Sequence, residues 1–317
     1  MASRSGTLAL VGRPNAGKSS LLNLLIGERI AAVSRRAQTT RNRVLGICNA
    51  DLKDGTSLQA VLLDTPGLHD AWTDFNRNMI AITEAVLDEV DAVAWIVDVT
   101  EPVAAVIAGN APLDDGLVAL QAKLAGRPHV VVLNKVDLVE DKRWLLPVMA
   151  AFDRVDGAVV LPVSARTGLG REPLLQAWAR LLPEGEPLYP TDQLTDAPEK
   201  FIVAELIRER VFENSSQEVP YATAVEIEQF DERQREAGRV HIHARILVEK
   251  DSQKGILIGA GGQMIKKIGT QARKRVEALL GCKVRLDLFV VVEKDWTRNP
   301  RLLKDLGYQP KPKPKGR

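Results

Sequence analysis

Short apolar runs alternate with helical stretches along the first half of the chain. Each run is nearly continuous in apolar residues, as expected for strands that are covered on both faces. The predicted strands are Thr7–Val11, Arg43–Ala50, Leu58–Leu63, Ala92–Val99, His129–Leu133 and Ala158–Val163. A hairpin turn is predicted at Asp54-Gly55, between the second and third strands. This alternation predicts an α/β domain, doubly wound around a mostly parallel sheet.

A second pattern begins after a proline-rich segment. Residues 183–200 contain four prolines and lack apolar periodicity, so they predict a semi-rigid linker. Beyond them the order helix, strand, strand, helix, helix, strand predicts an α+β domain. Its predicted elements include Glu199–Glu213, Ala222–Phe230, Arg239–Glu249 and Lys283–Val292. We expect domains at 1–182 and 201–300, joined by this linker and followed by a C-terminal segment at 301–317.

Composition and charge limit the compartment and the classes of partner that we expect for the chain. A content of 45% hydrophobic and 26% charged residues is typical of a globular protein in water. We expect a cytoplasmic protein for three reasons. No run approaches the ~18 apolar residues of a membrane span, and the few residues before the first predicted strand are too short for a signal peptide. The two cysteines also lack a pairing pattern. The net charge is −1 over 1–182, −7 over 183–250 and +10 over 251–317. The basic part predicts a polyanion contact, against the alternative of a solvated basic face.

Residues 12–19, Gly-Arg-Pro-Asn-Ala-Gly-Lys-Ser, lie between the first strand and an apolar helical stretch. Strand, glycine loop and helix are the context of a phosphate-binding loop, in which backbone N–H groups and the helix N-terminus bind anionic oxygens. Lys18 can reach the outer phosphates, and Ser19 can offer its hydroxyl to Mg²⁺. The residues of this loop expected at the nucleotide are Gly12, Arg13, Pro14, Asn15, Ala16, Gly17, Lys18, Ser19 and Ser20.

Two further segments are expected to complete the phosphate and magnesium site. In the polar segment 34–43, Thr40 is the candidate Mg²⁺ ligand when the γ-phosphate is present, with Thr39 as the alternative. The third strand ends in the run Asp64-Thr65-Pro66-Gly67. Its carboxylate can hold the Mg²⁺ shell and its glycine N–H can meet the γ-phosphate. The expected metal ligands are thus Ser19, Thr40 and Asp64.

The base site is predicted by Asn134-Lys135-Val136-Asp137 and by Ser164-Ala165, which each follow a strand. The carboxylate of Asp137 can accept hydrogen bonds from guanine N1–H and from its 2-amino group. Adenine would leave that carboxylate unpaired, which disfavours an ATP-using enzyme. Asn134 is expected at the other edge of the base, the Lys135 stem over its face, and a backbone N–H of the second motif at guanine O6. The motifs therefore predict a GTP-binding domain.

Leu68 follows the aspartate motif, where many small GTPases carry the glutamine that orients the attacking water. A leucine cannot orient water, so another group or a partner is expected to assist hydrolysis. We hypothesise that Asn15 ligates a K⁺ ion that substitutes for an arginine finger; equal rates in Na⁺ and K⁺ buffers would exclude this. The candidate catalytic residues are Lys18, Thr40 and Asn15.

The run Gly259-Ala260-Gly261-Gly262 lies between two predicted helices in the basic part of the chain. The second helix is amphipathic, with apolar positions at Ile265, Ile268, Ala272, Val276 and Leu279. This order of elements predicts the clamp of a KH module, which lets the backbone of single-stranded RNA approach the glycines. The RNA-binding candidates are Lys254, Gly255, Ile258, Gly259, Ala260, Gly261, Gly262, Lys266, Lys267 and Arg273. His241 and His243 alternate with apolar residues of a strand, which places both on its solvent face, and this pattern alone does not warrant the prediction of a metal site.

These motifs together resemble the Era family of bacterial GTPases, in which a type II KH domain follows the GTP-binding domain. The similar segments are 12–19, Gln38-Thr39-Thr40-Arg41, Asp64 to His69, Asn134 to Asp137, Ser164-Ala165, parts of the linker and Trp296 to Tyr308. Three features depart from the family. Ala16 replaces the usual valine, Ala260 replaces a lysine and so removes one phosphate contact, and residues 103–115 are expected to form a longer loop.

The resemblance implies a monomeric enzyme that hydrolyses GTP to GDP with Mg²⁺. It also implies binding of 16S ribosomal RNA near its 3′ end, in maturation of the small (30S) ribosomal subunit, and a peripheral association with the inner membrane. The alternative is a GTPase whose C-terminal domain binds protein or anionic lipid. Salt-sensitive RNA binding that fails when Gly259 and Gly262 are replaced distinguishes the two.

Overall fold

The structure is a computed structural model that describes residues 2–33, 44–66, 83–153, 159–215, 219 and 222–306. The chain forms two compact units. The first runs to Asp196, and the second begins at Ala197 and also includes residues 31–33. The domain bounds expected from the sequence, at 182, 200 and 300, stay predictions.

A six-stranded sheet forms the centre of the first unit. Its strands are β1 (Ser3–Val11), β2 (Val44–Asp51), β3 (Ser57–Asp64), β4 (Ala92–Asp98), β5 (His129–Asn134) and β6 (Val159–Pro162). Their order across the sheet is β2-β3-β1-β4-β5-β6, and every neighbouring pair is parallel except β2 with β3. The predicted α/β fold is confirmed. The carboxyl ends of β1, β3, β4 and β5 consequently share one edge of the sheet, where ligands of such folds bind.

Helices cover this sheet. They are α1 (Lys18–Ile26), α2 (Thr100–Ile107), α3 (Asp115–Leu124), α4 (Leu145–Asp153) and α5 (Arg171–Leu181), and residues 83–87 are helical as well. Residues 8–11 of β1 and 130–133 of β5 are fully buried, which explains why these strands are apolar without alternation. Part of the loop expected over 103–115 is instead helical, because α2 continues to Ile107.

Residues 183–196 of the proline-rich segment belong to the first unit and are held there by hydrogen bonds. The side chain of Gln59 on β3 binds both backbone groups of Tyr189 in this segment. Nε2 of Gln59 donates to the Tyr189 carbonyl (2.8 Å), and the Tyr189 N–H donates to Oε1 of Gln59 (2.9 Å). Farther on, the Ile47 N–H donates to Leu194 O at 2.8 Å, and the Thr195 hydroxyl donates to a carbonyl of β2. The segment is therefore anchored to β2 and β3 at several points.

The second unit has the predicted order of elements. These are α6 (Glu199–Asn214), β7 (Ala224–Asp231), β8 (Arg239–Val248), α7 (Asp251–Ile258), α8 (Gln263–Leu280), β9 (Lys283–Val292) and α9 (Pro300–Asp305). β8 is the middle strand, antiparallel to β7 and parallel to β9. The buried residues of α8 are Ile268, Ala272, Val276 and Leu280. Leu280, and not Leu279 as expected, is the last buried residue of α8. It follows Val276 by four residues and therefore lies on the same face of the helix.

Candidate nucleotide site and nucleic-acid interface

The phosphate-binding loop connects the carboxyl end of β1 with the first turn of α1. A Cβ atom at Gly12 would lie 2.2 Å from the carbonyl oxygen of Ile96 on β4. Gly17 has φ 96°, and a Cβ there would lie 2.2 Å from Nδ2 of Asn134. Both positions require glycine, since neither the strand carbonyl nor the buried amide can retreat. Asn15 is exposed and also has a left-handed backbone, with φ 63°.

Lys18 is buried beneath this loop. Its Nζ donates hydrogen bonds to the carbonyl oxygens of Gly12 (3.1 Å) and Arg13 (2.9 Å). Desolvation lowers its pKa to about 8, an effect that the carboxylate of Asp64 partly opposes. An anionic phosphate group beside the ammonium would favour its charged form. The geometry thus fits the expected role of Lys18 as a phosphate contact.

Ser19 and Asp64 are the described members of the expected magnesium site. The Ser19 hydroxyl donates to Oδ2 of Asp64 at 2.6 Å, and both side chains are buried. Hydroxyl and carboxylate oxygens are the ligands that Mg²⁺ prefers, so this pair fits the ion. Thr65 has a different function, because its hydroxyl donates to the carbonyl of Leu10 (2.8 Å) and ties the end of β3 to β1. The expected contributions of Thr40, Gly67 and Leu68 lie outside the described residues.

Arg13 is held in place by a carboxylate that the sequence did not reveal as part of the site. Its guanidinium donates to both oxygens of Asp114, with 2.8 Å from Nη1 to Oδ2, and to Glu101 at 3.3 Å. This hydrogen bonding raises the pKa of Arg13 and lowers the pKa of Asp114. Asp114 also caps α3 by accepting from the Leu117 N–H at 2.9 Å. One carboxylate therefore orients the loop arginine and starts a helix.

Asn134 joins the phosphate end of the site to the base end. Its Nδ2 donates to the carbonyl of Ala16 (2.8 Å), and its Oδ1 accepts from the Ala165 N–H (2.9 Å). The Ala165 N–H is therefore engaged by Asn134, and the contact of a backbone N–H of this segment with guanine O6 stays a prediction. One hydrogen of the amide stays available for the base, so the guanine contact of Asn134 stays a prediction.

The residues expected at the base are positioned by their neighbours. Oδ1 of Asp137 accepts the hydroxyl of Ser164 at 2.6 Å, which fixes the carboxylate expected to read guanine. Lys135 has φ 67° and its ammonium pairs with Asp98. Asp98 lies opposite Asn134 in the register of β4 and β5, and only this register identifies it as part of the site.

The glycine run of the second unit lies between two helices, as predicted. Gly259 ends α7, and α8 begins after Gly262. Gly259, Gly261 and Gly262 have φ of 70°, 58° and 77°, which side chains rarely adopt. A Cβ at Gly259 would lie 2.8 Å from the Cβ of Met264, a contact that no sequence pattern indicated. Among the candidates around the clamp, the exposed ones are Gly255, Ala260, Gly261, Lys266, Lys267 and Arg273, and the half-buried ones are Lys254, Ile258, Gly259 and Gly262.

Comparison with known proteins agrees with both units. A family model described as 50S ribosome-binding GTPase matches residues 7–135, and one described as KH domain matches residues 218–297. The protein called GTPase Era from Trichlorobacter lovleyi is 46% identical over 96% of this chain and 98% of its own, and that from Lactobacillus helveticus is 42% identical over 97% of each. None of the described helices is both long and apolar enough to cross a membrane.

Two solved structures are similar to nearly the whole chain. One is Era from Aquifex aeolicus bound to GDP and aluminium fluoride, with 33% identity, a TM-score of 0.84 and coverage of 96% of this chain and 99% of that one. The other is Era in complex with MgGDPNP and nucleotides 1506–1542 of 16S ribosomal RNA, with 32% identity, a TM-score of 0.87 and coverage of 97% and 99%. By this identity and coverage, the chain belongs to the Era family of GTPases.

Proposed function

We propose that this GTPase binds single-stranded RNA near the 3′ end of 16S ribosomal RNA, in maturation of the 30S subunit, under control of its bound nucleotide. The observation that carries the RNA part is the glycine clamp, where three left-handed glycines lie beside an exposed basic helix face. The similar Era structure that contains MgGDPNP and a 16S segment supports the same partner. Cytoplasmic action is part of this proposal, since the partner is ribosomal.

The chain hydrolyses GTP to GDP with Mg²⁺. We propose a separate role in this reaction for each of the site residues. Bound Mg²⁺ offsets the charge that develops on the phosphates. Ser19 and Asp64 would hold the ion, and the buried Lys18 would contact the outer phosphates. Asp137, fixed by Ser164, would select guanine.

For hydrolysis we propose two further roles. Asn15 would ligate K⁺, because its backbone holds the side chain at the exposed part of the loop, and Thr40 would ligate Mg²⁺ when GTP is bound. A potassium-dependent rate that falls in Asn15→Ala would support the first role. Equal rates in Na⁺ and K⁺ would exclude it.

At the clamp, basic side chains are proposed to contact RNA phosphates. These are Lys254, Lys266, Lys267 and Arg273. Neutralising about four phosphates of a single strand predicts a slope of roughly −3 for log K against log salt. Ala260 offers no such contact, so Ala260→Lys should strengthen binding and steepen this slope.

We also infer that the chain works as a monomer and that any association with the membrane is peripheral. The first inference is tested by light scattering of the purified chain. The second is tested by flotation with vesicles that contain anionic lipid.

The deciding experiment measures binding of a labelled 3′-terminal 16S RNA by fluorescence anisotropy. It compares GDP with a non-hydrolysable GTP analogue over a salt series. Tighter binding with the analogue, lost when Gly259 and Gly262 are both replaced by aspartate, supports the proposal. Equal, weak binding in both states would favour a protein or lipid partner for the second unit.

The nucleotide part is tested separately. Asp137→Asn should weaken GTP binding and favour xanthosine triphosphate, because an amide can donate to the oxygen at position 2 of xanthine. Unchanged guanine preference would contradict the assignment of Asp137.

A further inference from the structure

The outer face of the three-stranded sheet brings two histidines and an aspartate together. Along β8, Val240, Ile242 and Ala244 are buried, whereas His241 and His243 between them lie half-buried on the opposite face. Since β8 and β9 are parallel with His243 opposite Asp287, the carboxylate lies beside both rings. Asp287 is more than 40 positions from either histidine in the sequence, so only the sheet brings the three residues together.

The ring nitrogens of both histidines point to one oxygen. Nε2 of His241 lies 2.7 Å from Oδ2 of Asp287, and Nε2 of His243 lies 3.5 Å from the same atom. The ring centroids are 4.4 Å apart, with the rings tilted by 56°. One ligand atom from each residue lies within 4.8 Å of the other two.

We propose that His241, His243 and Asp287 bind a divalent transition-metal ion, of which Zn²⁺ is the best match. Imidazole nitrogens and a carboxylate oxygen are ligands that Zn²⁺ takes at about 2.0–2.2 Å. A tetrahedral ion at this distance requires ligand atoms roughly 3.4 Å apart, which small side-chain rotations would achieve here. The ion would lie between the two Nε2 atoms and Oδ2 of Asp287, and water would occupy its fourth position, because the three residues are partly exposed.

Neighbouring residues hold two of the ligands in place. β8 is bonded on both sides, by β7 and β9, so the backbone positions of the histidines are fixed. The ring of Phe289 on β9 stacks against His243, with centroids 6.1 Å apart and planes 14° apart. Little ordering is needed when the ion binds, which favours affinity.

The charges around the cluster affect its affinity for a cation, which gives a way to test the proposal. Nε of Arg285 lies 3.2 Å from Oδ2 of Asp287, so its positive charge competes with an ion. Its side chain is 74% exposed and can turn away into water. Arg245, the next outward residue of β8 after His243, is paired with Glu226 and Glu228 on β7. Removing the charge of Arg285 should therefore strengthen ion binding, whereas removing a histidine should weaken it.

A simple hydrogen bond between His241 and Asp287 is the alternative explanation. It accounts for the 2.7 Å contact but gives His243 no function, and it predicts that the cluster has no affinity for metal. The two explanations differ in a direct binding experiment.

The experiment uses the full chain, stripped of metal and saturated with Mg²⁺ and GDP so that the nucleotide site is filled. Zn²⁺ binding is measured by calorimetry, and Co²⁺ binding by its visible absorption, which reports histidine coordination. The native chain should bind one equivalent. Affinity should fall at least about tenfold in His243→Gln and in Asp287→Asn, and it should rise in Arg285→Ala. Cys282→Ser is the control for thiol binding and should match the native chain.

The result that would overturn the proposal is Zn²⁺ binding of equal strength in the native chain and in His243→Gln, or no saturable binding in either. Far-ultraviolet circular dichroism and RNA binding of each variant show whether it is folded. Both should be native, because His243 and Asp287 are surface residues of the sheet and lie outside the clamp.

Discussion

Replacing Gly259 with alanine should destabilise the second unit and weaken RNA binding together. Gly259 ends α7 with φ 70° and ψ 173°, a combination that is almost confined to glycine. An added Cβ would lie 2.8 Å from the Cβ and 3.0 Å from the backbone nitrogen of Met264. Because both atoms are fixed by the first turn of α8, no side-chain rotation can relieve the overlap.

The size of the effect follows from these numbers. The backbone conformation costs alanine about 1–3 kcal/mol. The lower entropy of the unfolded alanine chain returns about 0.4–1 kcal/mol. Since the overlap with Met264 adds to the cost, we expect a net loss of roughly 1–3 kcal/mol in the free energy of unfolding. For a unit of this size the loss lowers Tm by at least about 3 °C.

Gly255→Ala is the matched control, with the same chemical change four residues earlier. Gly255 lies within α7, is exposed, and a Cβ there would have no described atom within 4 Å. Alanine inside a helix should stabilise it by roughly 0.5–1 kcal/mol. Thermal unfolding gives the Tm of both variants, for which Gly255→Ala is the control, and anisotropy with the 3′-terminal RNA gives the affinity of Gly259→Ala relative to the native chain. If Gly259→Ala kept the Tm and RNA affinity of the native chain, the requirement for glycine would be refuted.

Three further predictions concern the first unit. Burial raises the pKa of the Cys48 thiol to about 11. Between pH 9 and pH 11 the folded state therefore keeps a proton that the unfolded state loses, so the free energy of unfolding decreases as the pH rises. In urea unfolding, native stability relative to Cys48→Ala should therefore drop by roughly 1–3 kcal/mol over this range, and a constant difference would contradict the burial argument. Gln59→Ala should cost about 2 kcal/mol or more and speed hydrogen exchange of the Tyr189 amide, since two backbone groups lose their partner; a native exchange rate would show that the linker is held by other contacts. Asp114→Ala should cost about 1 kcal/mol through the lost helix cap and weaken fluorescent GDP binding severalfold by freeing Arg13, and unchanged binding would remove Arg13 from the site.

Much of the fold could be predicted from the sequence alone, because the apolar runs and glycine motifs that indicate it are local patterns. The apolar runs without alternation predicted strands that are buried on both faces, and β1, β4 and β5 are such strands. The predicted fold class was confirmed for the same reason. The glycine runs at 12–17 and 259–262 were recognised from their positions between a strand and a helix and between two helices. The contacts that require Gly12 and Gly17, with Ile96 and Asn134, are distant in sequence and only the structure shows them.

The tertiary structure decided which distant side chains meet. Sequence order did not indicate that Asp114 would hold Arg13, that Asp98 would pair with Lys135, or that Asp287 would lie between two histidines. Contacts of this kind depend on strand order and register, which arise from packing of the whole sheet, whereas periodicity reports only which face of one element is buried. The motifs therefore revealed the chemistry of the nucleotide and RNA sites, and the fold alone selected the residues that position it.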